Sequence, residues 1–383
     1  MRYRWVVLGA GTFAQATYAA SFLGLAVLAP ALRTRYGLSL TEIGILLAAP
    51  NLGSIATLYP WGLATDRFGE RTVIGIGLGL AAVFLGLAAF AGSFALLAAL
   101  FLLAGGAGAS VNSASGRAVM HWFDASQRGF ALGVRQTAVP IGGAWVALGL
   151  PLLLTGDHVR SAILAVAAGC LAGGLAGIAL LREGPQADLE TLQPRARTVL
   201  RDRGLWRLSL ASGLLLAPQA CLVGFFVVFL HERRGLSTVS AGVALAALNV
   251  LGVGTRIGAG RWSDVAGSRV RPLRRIALLS AALVGCCTAL VSAPLALLVP
   301  VLVLMGCVTI SWNGLSFAAA AEAAGHARSG TAIGLQQTAL AVSSAALPVL
   351  FGVLVAATSW RAGFAVVAVF PLVGWRLLPA VPG

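Results

Sequence analysis

The feature that most constrains this chain is an almost unbroken succession of long apolar segments. A helix crosses a hydrocarbon core of ~30 Å with about twenty residues at ~1.5 Å each. Lipid offers no partner to an open sheet edge, so these segments are predicted to be helices. We expect an all-α membrane protein with twelve transmembrane helices, approximately at Trp5–Pro30, Ile43–Ala64, Val73–Ala91, Phe94–Val119, Phe130–Leu154, Val159–Leu181, Leu205–Leu230, Val239–Ala259, Ile276–Val291, Leu295–Ala321, Ala332–Ala357 and Ala362–Leu378.

The distribution of arginine predicts the orientation of the chain. The sequence has a net charge of +15 and only 10% charged residues, against about 25% in soluble domains. All 27 basic residues are arginine; with a cytoplasmic amino terminus, twenty fall on the inner side and six on the outer side. This positive-inside bias predicts a multi-pass protein of the cytoplasmic membrane with both termini in the cytoplasm. It also argues against nucleic-acid binding, which needs a soluble basic surface.

A polar segment divides the twelve predicted helices into six and six. Residues 182–204 are predicted to form a cytoplasmic linker between an N-terminal six-helix bundle, 1–181, and a C-terminal one, 205–383. The halves repeat each other: a shift of 198 aligns Asp66 with Asp264, and a shift of 201 aligns the Gln-Thr-Ala triplets that begin at Gln136 and Gln337. We therefore expect two bundles related by pseudo-twofold symmetry.

The clearest motif is GLATDRFGER, Gly62–Arg71, between the second and third segments, with a degenerate copy, GRWSDVAGSR, at Gly260–Arg269. With the six-plus-six layout, this motif resembles the major facilitator superfamily of secondary transporters. The resemblance implies alternating access, and it implies that the motif stabilises the outward-facing state. Glu70 departs from the family pattern, where a second basic residue is common.

The residues of the two motif copies are predicted to form a cytoplasmic gate. Gly62 allows close approach of another backbone, Gly69 allows a tight turn, and Asp66 can form a charge cluster with Arg67 and Arg71. The alternative is that the arginines only set orientation. The predicted gate residues are Gly62, Asp66, Arg67, Gly69, Arg71, Gly260, Asp264, Gly267 and Arg269.

Polar residues inside the spans are the candidates for substrate binding, because such residues usually face a bundle interior or a watery cavity. The family resemblance implies that spans one, four, seven and ten line the central cavity. The candidates on those spans are Gln15, Tyr18, Asn112, Gln219, Trp312 and Asn313. For each of them, a hydrogen bond between helices is the alternative.

Arg135 is the most specific candidate, because it lies within the fifth span and no acidic residue lies deep in any span. A guanidinium binds carboxylates and similar oxyanions bidentately, so an anionic substrate could supply the missing negative charge. Its repeat equivalent, Gln336, could complete the site. The alternative is that Arg135 extends to the inner headgroups or binds helix carbonyls.

The sequence therefore predicts a secondary transporter for a small organic or inorganic anion. An efflux antiporter is the alternative, since Pro140, Gly142 and Gly143 approximate the antiporter motif. A non-transporting receptor is disfavoured because no signalling domain is visible. An enzyme is disfavoured because no cluster of catalytic residue types is visible. The predicted partners are a small-molecule substrate, membrane lipid, and either a coupling proton or a counter-substrate. We expect a monomer without a cofactor. We also expect no metal site, since the spacing of the five cysteines matches no set of metal ligands.

Overall fold

The structure, a computed structural model, describes residues 2–153, 159–182, 184–185 and 199–379. Within these ranges every regular element is helical, and twelve helices are long and apolar enough to cross a membrane. This confirms the predicted all-α, twelve-helix fold. The helices are α1 Tyr3–Tyr36, α2 Leu40–Phe68, α3 Glu70–Ala88, α4 Phe94–Trp122, α5 Ala125–Leu153, α6 Val159–Leu180, α7 Arg203–Arg233, α8 Ser240–Val265, α9 Val270–Leu290, α10 Leu295–Ala324, α11 His326–Ala357 and α12 Trp360–Leu377.

Most helices extend beyond their apolar segments. Helix α1 continues past Pro30 to Tyr36, and α5 begins at Ala125, before the predicted start at Phe130. Apolarity marks only the part of a helix that contacts hydrocarbon, whereas capping decides where the helix ends. At the start of α2, for example, Ser39 and Glu42 form a reciprocal capping box.

One compact unit comprises the described residues of Met1–Asp124, Val134–Val199 and Ala321–Thr338. In it α2 packs against α4, α3 against α4 and α6, and α1 against α6 and the later part of α5. Leu28, Phe101, Val146 and Ile163 belong to its buried apolar core. Helices α2 and α4 approach so closely that a Cβ atom on Gly53 would lie 1.9 Å from the carbonyl oxygen of Leu102. Small residues therefore allow these backbones to touch.

The other compact unit comprises the described residues of Ala125–Gly133, Leu200–Ala320 and Ala339–Gly383. Here α12 packs against α7 and α9, and α10 packs against α8 and α9. Its core contains an aromatic cluster of Phe229, Phe351, Trp360 and Phe364 with ring centroids 5.1–6.3 Å apart. Residues 183 and 186–198 of the predicted linker lie outside the described part, and the division at 182–204 stays a prediction.

Three spans are interrupted in their interior. Helix α4 breaks at Ala109, α5 breaks at Gln136 and Thr137, and α10 breaks at Ser311 and Trp312. Each break leaves backbone groups outside the regular helical ladder. Non-helical backbone at membrane depth is tolerated where it is buried in protein or lines a water-filled cavity.

Candidate functional site

Arg135 lies in α5, ten residues after the helix begins at Ala125. At ~1.5 Å per residue this places its backbone about 15 Å along the helix. Its side chain is fully buried, with an exposed fraction of 0%. The guanidinium is therefore shielded from solvent.

Four hydrogen bonds fix the Arg135 guanidinium. Nε donates to the Ser115 hydroxyl at 2.7 Å, and Nη1 donates to Gln136 Oε1 at 3.0 Å. Nη2 donates to Gln15 Oε1 at 3.1 Å and to the backbone carbonyl of Asn112 at 2.6 Å. All four acceptors are neutral, so these bonds orient the guanidinium without compensating its charge.

The Asn112 amide extends this network to α11. Asn112 Oδ1 accepts from Gln15 Nε2 at 2.9 Å and from Gln337 Nε2 at 3.1 Å. The α11 side chain that donates to Asn112 is that of Gln337, the neighbour of the predicted site residue Gln336. Gln336 is itself fully buried. We call Arg135, Gln15, Asn112, Ser115, Gln136 and Gln337 the Arg135 network.

The first motif copy fastens α2 to the beginning of α11. Asp66 accepts hydrogen bonds from the backbone amides of Gly330 at 2.9 Å and Thr331 at 2.7 Å, and from the Thr331 hydroxyl. The amides at a helix start carry partial positive charge, so a carboxylate is stabilised there. Gly62 permits the contact, because a Cβ atom on it would lie 2.7 Å from the carbonyl oxygen of Gly330.

The ion pairs of Asp66 differ from the expected ones. Its partner is Arg117 of α4, with Nε 3.2 Å from Oδ1, whereas Arg67 and Arg71 are exposed. The Arg67 guanidinium lies 5.2 Å from the ring centre of Phe68. A buried arginine from another helix takes the place of the two motif arginines, whose charges are better solvated at the surface.

Glu70, the departure from the family pattern, is buried beside this ion pair. One of its carboxylate oxygens lies 3.0 Å from Arg117 Nη1 and 3.0 Å from His121 Nδ1. Arg117 therefore bridges two carboxylates. We call Asp66, Glu70, Arg117 and His121 the carboxylate cluster.

The second motif copy makes equivalent bonds within the other unit. Asp264 accepts from the backbone amides of Gly129 at 2.9 Å and Phe130 at 2.8 Å. These two residues are the repeat equivalents of Gly330 and Thr331. Arg269 donates to Asp264 and to the carbonyl of Ala125, so here the last motif arginine does pair with the aspartate.

The motif glycines adopt the conformations that turns and close contacts require. Gly69 and Gly267 have φ of 78° and 58°, in the region that disfavours residues with a Cβ atom. A Cβ atom on Gly260 would lie 2.2 Å from the carbonyl oxygen of Gly129. The two copies therefore share one geometry, although the second has no arginine directly after its aspartate.

The family model described as Major Facilitator Superfamily matches residues 11–347. The chain belongs to the major facilitator superfamily. An uncharacterised MFS-type transporter of Mycobacterium tuberculosis (strain CDC 1551 / Oshkosh) is 35% identical over 367 residues, 94% of this chain and 82% of the relative. A probable sulfoacetate transporter of Cupriavidus necator is 32% identical over 126 residues, 32% of this chain and 28% of the relative.

Solved structures of the major facilitator superfamily share the fold. The proton:xylose symporter bound to 6-bromo-6-deoxy-D-glucose has a TM-score of 0.78 at 16% identity and covers 99% of this chain and 96% of its own. A human organic anion transporter has a TM-score of 0.79 at 17% identity and covers 98% of this chain and 99% of its own. These similarities are to a transporter superfamily, not to an enzyme family.

The remaining candidates in this superfamily member are of two kinds. One makes hydrogen bonds between helices, and the others each have a buried polar atom without a hydrogen-bond partner among the described residues. Tyr18 bonds to the Ser54 hydroxyl and to the carbonyl of Gly105, which ties α1 to α2 and α4. Among the candidates in the other unit, three have a buried polar atom without a hydrogen-bond partner among the described residues: Gln219 Oε1, Trp312 Nε1 and Asn313 Oδ1. Such atoms are costly in a protein interior and are available to a polar ligand.

Sequence reasoning missed a second arginine at membrane depth in this superfamily member. Arg256 falls in the eighth predicted segment, Val239–Ala259, without being chosen as a candidate, and it lies nine residues before α8 ends at Val265. Its Nε donates to the carbonyl of Ile310 at 3.3 Å, beside the break in α10.

Proposed function

We propose that this superfamily member is a secondary active transporter that moves a small organic or inorganic anion across the cytoplasmic membrane by alternating access, with both termini in the cytoplasm. The observation that carries the proposal is the fully buried guanidinium of Arg135, which is oriented by hydrogen bonds that include four to neutral acceptors. Arg135 and the amides around it are the proposed substrate ligands.

The energetic argument favours an anion as the ligand. An arginine at the centre of a membrane helix costs about 2.5–3.5 kcal/mol even on insertion scales. Hydrogen bonds to neutral acceptors reduce this cost, and an anion beside the guanidinium would reduce it further. A carboxylate, sulfonate or phosphate would provide the opposite charge and two oxygens for the guanidinium fork. The probable sulfoacetate transporter that matches part of this chain is named for such an anion.

The two aspartates provide the proposed gate. Asp66 joins α2 to the start of α11, and Asp264 joins α8 to the first turns of α5. Each connection uses a few hydrogen bonds to backbone amides, which can break and re-form without unfolding a helix. A carboxylate at a helix start contributes about 0.3–2 kcal/mol, which suits a contact that must open during each cycle.

Uptake into proteoliposomes tests the proposal. Purified protein would be reconstituted and challenged with radiolabelled sulfoacetate, small mono- and dicarboxylates, sulfate and phosphate, with protein-free liposomes as the control. We expect saturable uptake of at least one anion, competed by unlabelled anion. Transport restricted to lipophilic cations would refute the anion proposal and favour the efflux alternative.

A further inference from the structure

The end of α7, the loop after α9 and the start of α12 surround an open cavity of about 410 Å³. All three segments belong to one compact unit and lie on the side predicted to be outside the cytoplasm. The volume is in the range of small-ligand pockets, about 300–1,000 Å³. We call this cavity the outer cavity, and the residues that line it are Arg233, Val291, Ser292, Ser359, Trp360 and Arg361.

Aromatic packing holds the end of α7 against the start of α12. The ring centroids of Phe229 and Trp360 lie 5.1 Å apart, and the ring of Phe364 packs on both. The last turn of α7, Phe229–Arg233, is a π-helix. Single π-helical turns are rare and occur frequently at functional sites. This turn places Arg233 at the edge of the cavity that Trp360 also lines.

Arg234, the next residue in the chain, fixes the loop after α9. Its guanidinium donates to the carbonyl of Val291 at 3.3 Å and to the carbonyl of Ala293. These bonds hold Val291 and Ser292 in the wall of the outer cavity. Arg234 therefore has a structural role in this arrangement, whereas Arg233 lines the cavity itself.

Arg233 and Arg361 bring two guanidinium groups to one cavity. Within the described ranges, neither side chain forms a hydrogen bond or an ion pair. The acidic residue in the three segments that surround the cavity is Glu232, which does not line it. Two like charges at one cavity repel each other, and an anion between them would replace this repulsion by two attractions.

Membrane orientation does not explain these arginines. Arginine in short loops is favoured on the cytoplasmic side. Six arginines fall on the side predicted to be outside, and three of them are Arg233, Arg234 and Arg361. Their position opposes the rule, so a local role is needed to account for them. Arg234 has such a role in its bonds to the loop after α9.

We propose that the outer cavity binds an oxyanion, whose carboxylate, sulfonate or phosphate group lies between the guanidinium groups of Arg233 and Arg361. Guanidinium presents paired N–H donors that match the oxygens of such groups. The Ser292 hydroxyl is a further donor, and the start of α12 adds the partial positive charge of a helix N-terminus. The Trp360 ring and the Val291 side chain offer an apolar surface to the rest of the ligand.

This site is separate from Arg135, which lies in the other compact unit, and it does not depend on the proposed transport function. A dissolved anion and the headgroup of an anionic phospholipid offer the same chemistry to the two arginines. The experiment below therefore has one arm for each source.

Fluorine NMR of the full chain, labelled with 5-fluorotryptophan, reads the outer cavity directly because Trp360 lines it. Trp360→Phe identifies the Trp360 signal among those of the nine tryptophans. In phosphatidylcholine nanodiscs at constant ionic strength, a dissolved anion as the ligand predicts a saturable shift of this signal with sulfoacetate or inorganic phosphate. A lipid as the ligand predicts the shift when phosphatidylglycerol replaces part of the phosphatidylcholine and no anion is added. A Trp360 signal that none of these probes moves overturns the site.

Substitution of the two arginines tests how the anion is held. Because ion pairs of exposed side chains are weak, we expect Arg233→Gln and Arg361→Gln each to lower the affinity about two- to fivefold, and the double variant at least about fivefold. The matched control is Arg35→Gln, an arginine on the same predicted side whose guanidinium lies 5.6 Å from the centre of the Tyr36 ring. It should leave the affinity unchanged.

The other tryptophan signals show whether each variant is folded; if the double variant is not, the two single variants decide by the same criterion. Wild-type affinity in the folded arginine variants, or an equal loss in Arg35→Gln, overturns the site. Because the signal reports binding and not transport, a failure of the anion-transport proposal leaves this result unaffected.

Discussion

At the scale of single residues, the proposed anion site depends on the planar shape of the Arg135 side chain. Arg135 uses Nε, Nη1 and Nη2 to reach acceptors on α1, α4 and α5. Lysine carries the same charge as a compact point and cannot reproduce this planar fork. The two residues are therefore distinguishable at this position, which makes the role of Arg135 measurable.

Substitution of Arg135 should weaken anion binding in a graded way. Arg135→Lys should reduce affinity for the transported anion, and Arg135→Gln should reduce it more, by about tenfold to a hundredfold, since a charge-assisted bond is worth ~1.5–3 kcal/mol. Equilibrium binding to purified protein measures this. The matched control is Arg160→Gln, an arginine that lies over the ring of Phe90. If lysine is tolerated and glutamine lowers only protein yield, the role of Arg135 is structural.

Part of the candidate site could be predicted from residue type alone. Gln15, Asn112 and Arg135 were selected because polar groups are expensive in hydrocarbon, and the structure brings these three into contact. Gln337, which donates to Asn112, was not among the predicted residues, although its neighbour Gln336 was. Adjacent residues point about 100° apart on a helix, and the repeat register does not reveal which face of α11 meets α4.

At the scale of helices, the two motif copies perform one operation on two different partners. Asp66 holds the start of α11, Asp264 holds the first turns of α5, and the glycines allow the backbones to come close. The sequence predicted the aspartates and glycines because they recur at one spacing. It did not identify Arg117 as the partner of Asp66, since the two are far apart in sequence and are brought together only by the packing of α2 against α4.

Neutralising either aspartate should loosen the contact that it makes. Asp66→Asn and Asp264→Asn keep the size of the side chain but remove the charge that attracts the helix amides, so transport should fall several-fold in each. We expect effects of similar size, because each carboxylate accepts two backbone amides and pairs with one arginine. Labelling of a cysteine introduced at Thr331 or Phe130 should increase correspondingly; wild-type transport rates and labelling would contradict the gate.

At the scale of the whole molecule, arginine placement assigns the sides of the membrane. Twenty of the 27 arginines fall on the side predicted to be cytoplasmic, and six fall on the other side. Such a difference between short loops determines orientation during insertion. The twelve spans were predictable for a related reason: hydrocarbon imposes an apolar composition on every helix that crosses it, whatever the function.

Topology reporters should find both ends of the chain in the cytoplasm. A green fluorescent protein fused after Gly383 should fluoresce, and alkaline phosphatase fused there should be inactive, because each reporter works on one side of the membrane only. Phosphatase fused in the loop after α7, near Arg234, should be active. An active phosphatase at the carboxyl terminus would place that terminus outside the cytoplasm and contradict the predicted orientation.

The breaks in α4, α5 and α10 have a consequence for the solvent. At these points Asn112, Thr137 and Ser311 donate their backbone N–H groups to carbonyls three residues earlier, in tighter and poorer bonds than those of an α-helix. Such backbone persists at membrane depth where protein or water satisfies it. Deuterium should therefore reach peptides containing these residues sooner than the flanking turns of the same helices. Mass spectrometry of the labelled protein in nanodiscs would show whether water reaches the backbone at each of these three breaks.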